Sequence, residues 1–156
     1  MVFYLATLLA GAISPVFPVV SIEAWVVFVG VFGERPSLLV SLSAATGQLL
    51  CFVLLYHFGS RVVLRLPFVV RKLDRFEPAR YAVRARYFVC SASLVGLPPM
   101  NLMSVVAPGL GVKAPLFTFI AFTGRAFRLS VLVVFASAVR DYFPVEAVPE
   151  FLRALL

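Results

Sequence analysis

Acidic residues, histidine and cysteine are scarce in this sequence. Its 156 residues include seven Asp and Glu, one His and two Cys. There is no Ser/His/Asp set and no glycine-rich loop of the kind that cradles phosphates, so we expect no enzyme, no cofactor and no metal site. Cys51 and Cys90 lie within apolar runs, and their spacing fits neither a metal site nor a disulfide framework. We interpret both as buried small hydrophobic residues.

Charged residues of all kinds make up only 13% of the chain, whereas 62% of it is hydrophobic and the mean hydropathy is +1.03. The apolar residues exceed what the core of a soluble domain of this length could bury. The composition therefore predicts an all-α, polytopic integral membrane protein. Residues 1–13 carry no basic segment and lead into a proline-containing tip, so we expect them to be retained rather than removed as a signal peptide.

Prolines interrupt two hydrophobic stretches, at Pro15 with Pro18 and at Pro98 with Pro99. Each interrupted stretch is followed by one long apolar segment, Leu38 to Phe58 in the first half and Pro115 to Val139 in the second. Paired, proline-broken segments at corresponding positions of two halves are typical of transporters built from repeats. Two ordinary helical hairpins with proline turns are the alternative.

Segment lengths predict the topology of these elements. Leu38 to Phe58 would extend about 31 Å as a helix, which is enough to cross the hydrocarbon core once. The arms Met1 to Ile13 and Tyr87 to Leu97 would reach only about 20 Å and 16 Å. Each arm pair is therefore predicted to be a re-entrant hairpin, the first opening outside and the second inside. An inverted repeat of hairpin plus transmembrane helix follows.

We predict one membrane domain covering residues 1–156. Its parts, in chain order, are hairpin 1–33, helix 37–59, a basic amphipathic connector 60–86, hairpin 87–112, helix 114–140 and a short C-terminal tail 141–156.

The connector carries most of the positive charge. Eight of the 14 Lys and Arg residues fall between Arg61 and Arg86, against Asp74 and Glu77 alone. Basic loops beside membrane segments stay inside, so we place the connector in the cytoplasm and the protein in the inner membrane. Apolar residues interleave with the bases, which predicts contact with anionic lipid headgroups. Because the topology explains this charge, no nucleic-acid partner is predicted.

Three charged residues lie inside the apolar stretches: Glu23, Arg125 and Arg128. A central arginine costs about 2.5 to 3.5 kcal/mol on insertion, so neither arginine should face lipid. Arg125 and Arg128 are three residues apart and should share one helical face, with Glu23 at a similar depth. Guanidinium groups suit phosphate, and Asn101 after the second tip either binds a ligand or caps the next helix. A structural Glu–Arg pair that locks the two halves is the alternative.

The order of these features resembles the DedA family, also called SNARE-associated or VTT-domain proteins, and in particular its short, YqaA-like bacterial members. The resemblance covers about residues 5 to 140 and rests on the following sequence features in order: a tip proline followed by glutamate (Pro15 to Glu23), the helix end Tyr56-His57-Phe58-Gly59-Ser60-Arg61, the basic connector, a second proline hairpin ending near Gly109, and Gly124-Arg125-Ala126-Phe127-Arg128.

The resemblance implies movement of phospholipid or of a lipid-phosphate carrier, with coupling to protons. Glu23 matches the family's acidic residue of the first hairpin, and Arg125 and Arg128 match its basic pair. The chain departs from the family at Pro98-Pro99-Met100-Asn101, where relatives often have a charged residue. A non-transporting subunit of a larger membrane complex and a small-molecule efflux protein are the alternative functions that the sequence leaves open. The chain is short enough to work as a homodimer or as one subunit of a larger complex.

Overall fold

The computed structural model describes residues 2–17, 21–33, 37–63, 78–139 and 142. All regular structure in these ranges is helical, which confirms the predicted all-α class. The helices are α1 Val2–Ile13, α2 Ile22–Phe32, α3 Ser37–Leu54, α4 Ser60–Val63, α5 Pro78–Leu94, α6 Met100–Val106 and α7 Ala114–Ala138, with a π-helical turn Leu55–Gly59 between α3 and α4.

Among the described residues, two helical stretches are long and apolar enough to cross a membrane. They are Leu38–Gly59 with 22 residues and Ala114–Ala138 with 25. Both lie within the segments 37–59 and 114–140 predicted from the sequence. The helices that precede them are shorter, since α1 has 12 residues and α2 has 11.

The same order of elements occurs twice along the chain. A helix, a proline-containing turn, a second helix and one long helix form α1–α2–α3, and the same succession forms α5–α6–α7. The first turn follows Ile13, and backbone N–H groups of Val16 and Phe17 donate to the Ile13 carbonyl. The second turn contains Gly96 at φ 93°, a cis bond between Leu97 and Pro98, and a hydrogen bond from the Ser91 hydroxyl to the Leu97 carbonyl.

Helix α5 begins earlier than the sequence indicated. It starts at Pro78 and so takes in residues 78–86 of the predicted connector. Proline is favoured at the first helical position because an N–H at that position has no acceptor within the helix, so its absence costs nothing. Four parts of the chain lie outside the described residues: residues 64–77 of that connector, residues 34–36 between α2 and α3, tip residue Pro18, and nearly all of the tail 141–156.

The chain divides into two compact units. The first comprises residues 1–48 and 126–156, and its described part holds α1, α2, the first part of α3 and the second part of α7. Its buried apolar residues come from all four helices: Phe3, Ile22, Val26, Val29, Val31, Val40, Ala44, Ala45, Leu129, Val133 and Ala136.

The second unit comprises residues 49–125. Its core joins the end of α3 to α5, α6 and the first part of α7, through Phe52, Ala85, Val89, Ala92, Met100, Met103, Ala107, Val112, Phe117 and Ala121. The Tyr56 ring packs on Phe117 at 4.9 Å between centroids, and its hydroxyl donates to the Val112 carbonyl at 2.6 Å. Each unit therefore contains two successive helices, the first part of the long helix that follows them, and the last part of the other long helix.

Candidate functional site

The first unit contains an ion pair between α2 and α7, two mainly apolar helices. Arg128 Nη2 on α7 lies 2.8 Å from Glu23 Oε1 on α2. The Arg128 side chain is 23% exposed and that of Glu23 is 38% exposed. A pair at this distance is charge-assisted and directional, so it fixes the facing positions of α2 and α7.

The start of α2 explains why a carboxylate is tolerated there. The Ser21 hydroxyl caps the helix by accepting a hydrogen bond from the Ala24 N–H at 3.2 Å. Glu23 lies in the first turn, where the positive end of the helix dipole favours an anion. The carboxylate is therefore stabilised by its own helix as well as by Arg128.

A second contact between α2 and α7 sets their relative direction. The Cβ of an alanine at Gly30 would lie 2.8 Å from the Ala136 Cβ and 3.1 Å from the Val133 carbonyl oxygen. Glu23 thus faces Arg128, and Gly30, seven residues later, faces residues 133–136. The two helices run parallel, and their close approach at Gly30 is what brings the two charged side chains together.

One nitrogen of the Arg128 guanidinium takes no part in this ion pair. Its Nη1 atom is buried and has no hydrogen-bond partner among the described residues. A buried donor without an acceptor is costly, and a guanidinium group binds phosphate oxygens through more than one N–H. An anionic oxygen beside Nη1 would supply the acceptor that this nitrogen lacks.

Uncharged polar side chains join the other helices of the first unit. The hydroxyls of Ser41 on α3 and Ser130 on α7 lie 3.0 Å apart, and Ser41 is fully buried. The Trp25 Nε1–H donates to the Thr7 hydroxyl, which links α2 to α1. Sequence reasoning missed these residues because a lone Ser or Thr in an apolar helix usually bonds its own backbone and carries no other signal.

Gln48 on α3 is a larger polar side chain that is buried, with 5% exposed. Its Nε2 donates to the Ser14 hydroxyl oxygen at 3.4 Å, whereas its Oε1 has no hydrogen-bond partner among the described residues. Sequence reasoning missed Gln48 as well. The available signal was an uncharged amide within a long apolar segment.

Arg125 lies in the second unit and has different surroundings from Arg128. Its guanidinium carbon lies 5.5 Å from the centroid of the Phe52 ring, a cation–π contact. Three residues correspond to about 300° of helical rotation, so the two arginine side chains leave α7 about 60° apart. This difference is enough for one arginine to meet an aromatic ring and the other a carboxylate.

The remaining predicted site residues are distributed over both turns. Asn101 is the second residue of α6 and is exposed, and Pro99 takes the position that caps this helix without a side-chain hydrogen bond. Pro15 and Pro98 are half-buried in the first and second turn. Within the described part of the chain, no group of three or more His, Cys, Asp or Glu side chains could hold a metal ion.

Comparison with known proteins adds no identification. No protein-family model, curated protein or solved structure matches this chain.

Proposed function

We propose that this chain is an integral membrane protein of the DedA type that moves phospholipid or a lipid-phosphate carrier across the inner membrane. Support comes from the composition, from two helices long enough to span a bilayer, and from the ion pair between Glu23 and Arg128. The ion pair carries the proposal.

Charged groups at membrane depth are expensive and are retained mainly where they have a function. The Glu23–Arg128 pair neutralises most of that cost while leaving Arg128 Nη1 available. A phosphate group offers the anionic oxygens that this nitrogen lacks. In our mechanism a lipid phosphate binds Arg128, Glu23 competes with it for the same guanidinium, and exchange between the two lets the lipid leave.

Arg125 and Asn101, which the sequence also assigned to ligand binding, lie in the second unit and stay separate predictions. Arg125 supplies a second guanidinium, held against Phe52 in the second unit. Asn101 occupies the same place in α6 that Glu23 occupies in α2, since each is the second residue of its helix. The amide can hydrogen-bond a headgroup but cannot release a proton, so Glu23 is the residue that we assign to proton coupling.

We further propose that the two halves are inverted repeats of a re-entrant hairpin and a transmembrane helix. The repeated order of elements supports a duplication, and the prolines Pro15, Pro18, Pro98 and Pro99 mark the two tips. The basic connector then lies in the cytoplasm against anionic headgroups.

The topology predicts which side of the membrane two engineered cysteines face. In a variant with Cys51 and Cys90 replaced by alanine, cysteines introduced at Ser37 and at Ala79 should react with an impermeant maleimide from opposite sides, Ser37 from outside. Ser37 begins α3 and Ala79 lies in the first turn of α5. Reaction of both cysteines from one side only would exclude the inverted repeat.

Transport itself is tested in vesicles. The purified chain, reconstituted into liposomes with a panel of fluorescent phospholipids and a polyprenyl phosphate, should expose inner-leaflet lipid to an impermeant quencher. Protein-free vesicles and vesicles with an unrelated helical membrane protein serve as controls. If no lipid in the panel moves while the chain purifies with a fixed set of membrane proteins, the alternative of a non-transporting complex subunit is correct. Movement of a soluble dye instead of lipid would favour efflux.

A further inference from the structure

The long helices α3 and α7 bury the same positions of their sequences. Counted from the first residue of each helix, buried apolar side chains coincide at the fourth, eighth and sixteenth positions: Val40 with Phe117, Ala44 with Ala121, and Phe52 with Leu129. Gly47 and Gly124 share the eleventh position, and each meets the helix that opens its own half. Because side chains leave a helix at fixed angles, equal positions of α3 and α7 face equivalent surroundings.

The shorter helices α2 and α6 correspond in the same way. Their first residues, Ile22 and Met100, are both buried, and so are their fifth residues, Val26 and Ser104. Each of the two helices also meets the last part of a long helix, α2 that of α7 and α6 the π-helical turn after α3. The first unit and the second unit therefore contain equivalent helix pairs.

This correspondence locates the counterpart of the ion pair in the second unit. Arg128 is the fifteenth residue of α7, and the fifteenth residue of α3 is Cys51. Glu23 is the second residue of α2, and the second residue of α6 is Asn101. Both counterparts belong to the second unit. In each unit the residue on the long helix is the less exposed of the two.

The two equivalent positions differ in charge. The first unit has a guanidinium and a carboxylate there, whereas the second has a thiol and an amide, which are uncharged. A thiol behaves as a small apolar group with a weak donor. Arg125 does not stand in for Arg128 in the second unit, since it is the twelfth residue of α7 and corresponds to Gln48 of α3.

We infer that Cys51 and Asn101 form the uncharged counterpart of the ion pair, placed between α3 and α6, and that their lack of charge keeps phosphate from binding there. The two residues thus determine the ligand selectivity of this position. The correspondence is independent of any activity, whereas its consequence for phosphate binding rests on the proposed function.

The first test measures whether the two positions are close. In the full-length chain with Cys90→Ala, Asn101→Cys should be joined to the native Cys51 by a short bifunctional thiol reagent. Trypsin cleaves the basic connector between these residues, so a crosslink keeps the two fragments together on a non-reducing gel. Leu102→Cys is the matched control, because Leu102 is also exposed and leaves α6 about 100° away, so it should not be crosslinked.

The second test transfers the charges. Cys51→Arg alone places an unpaired charge at a buried position and should lower the melting temperature, and adding Asn101→Glu should restore most of the loss. Leu102→Glu in place of Asn101→Glu should restore little. By calorimetric titration, the restored double variant should bind one more molecule of a short-chain phosphatidic acid per chain than the wild type does.

Equal crosslinking of Asn101→Cys and Leu102→Cys, or equal restoration by the two glutamates, would overturn the correspondence. If no variant with Cys51→Arg folds, the crosslinking result alone decides. A wild type that binds phosphatidic acid and a restored double variant that binds no more of it would overturn the assigned selectivity. If neither protein binds it although the second ion pair forms, the proposed function fails and the correspondence stands.

Discussion

Replacing Gly47 by alanine should strongly destabilise the first unit. The new Cβ would overlap the Leu8 carbonyl oxygen and lie 2.8 Å from the Ala12 nitrogen, and both are backbone atoms of α1. No side-chain rotation can relieve such a contact, so α1 must move away from α3. Overpacking typically costs about 1 to 3 kcal/mol, and we expect the upper end or more here. Thermal unfolding in detergent, with the fraction of monodisperse protein, measures the effect.

Gly124→Ala is the matched comparison, because the atoms nearest to its new Cβ belong to a side chain and not to the backbone. The Cβ would overlap the Ser93 hydroxyl and lie 2.6 Å from the Ser93 Cβ. Combining Gly124→Ala with Ser93→Gly removes both atoms, so the double variant should regain most of the stability lost by Gly124→Ala. Ser93→Gly alone should cost little, since Ser93 is the penultimate residue of α5. A Gly47→Ala protein as stable as the wild type would show that α1 and α3 are not this close.

These two glycines occupy the same position in the two halves. Gly47 is the eleventh residue of α3 and Gly124 the eleventh of α7, and each meets the helix that opens its own half. The second helix of each half, α2 or α6, also makes an equivalent contact with a long helix. Gly30 on α2 meets Ala136 on α7, and Val105 on α6 meets Gly59 at the end of the α3 stretch. Ala136 and Gly59 are each the twenty-third residue of their long helix. The two halves therefore share one packing register, which supports a duplicated unit.

The hydropathy of the sequence was sufficient to predict the two long helices, and its prolines were sufficient to predict the interruptions of the shorter apolar segments. Both signals are local, because a long apolar run has to be helical in a bilayer and a proline removes a backbone donor. The start of α5 was not predictable in the same way. Arg80, Arg84 and Arg86 interrupt the apolar residues in the first part of α5. Hydropathy alone therefore assigned residues 78–86 to the basic connector and not to the helix.

The candidate site was predictable only where it carries charge. Glu23 and Arg128 stand out because each is charged within an apolar segment. Gln48 and Ser14 have no such signal. Their burial depends on Gly47, which lets α1 approach α3 closely. The distance between two packed helices cannot be derived from the sequence of either helix.

Removing either member of the ion pair should destabilise the protein, and removing both should restore much of the loss. Exposed pairs contribute about 0 to 1 kcal/mol, and breaking a buried pair costs about 3 to 5. Glu23 and Arg128 are 38% and 23% exposed, so we expect Glu23→Gln and Arg128→Gln each to lose about 2 kcal/mol. Arg61→Gln is the control for Arg128→Gln, since Arg61 is an exposed arginine on α4 and its loss changes the net charge by the same amount.

Lipid movement by the same variants separates the two roles of the pair. If Arg128 binds the phosphate, Arg128→Gln should be inactive, and the double variant Glu23→Gln with Arg128→Gln should be stable but still inactive, because the guanidinium is missing from both. Glu23→Gln should keep lipid binding and change its pH dependence, because the competing carboxylate is gone. A structural lock behaves differently, since the double variant would then recover lipid movement together with its stability. That recovery would remove Arg128 from the transport mechanism and leave the pair as a contact that holds α2 to α7.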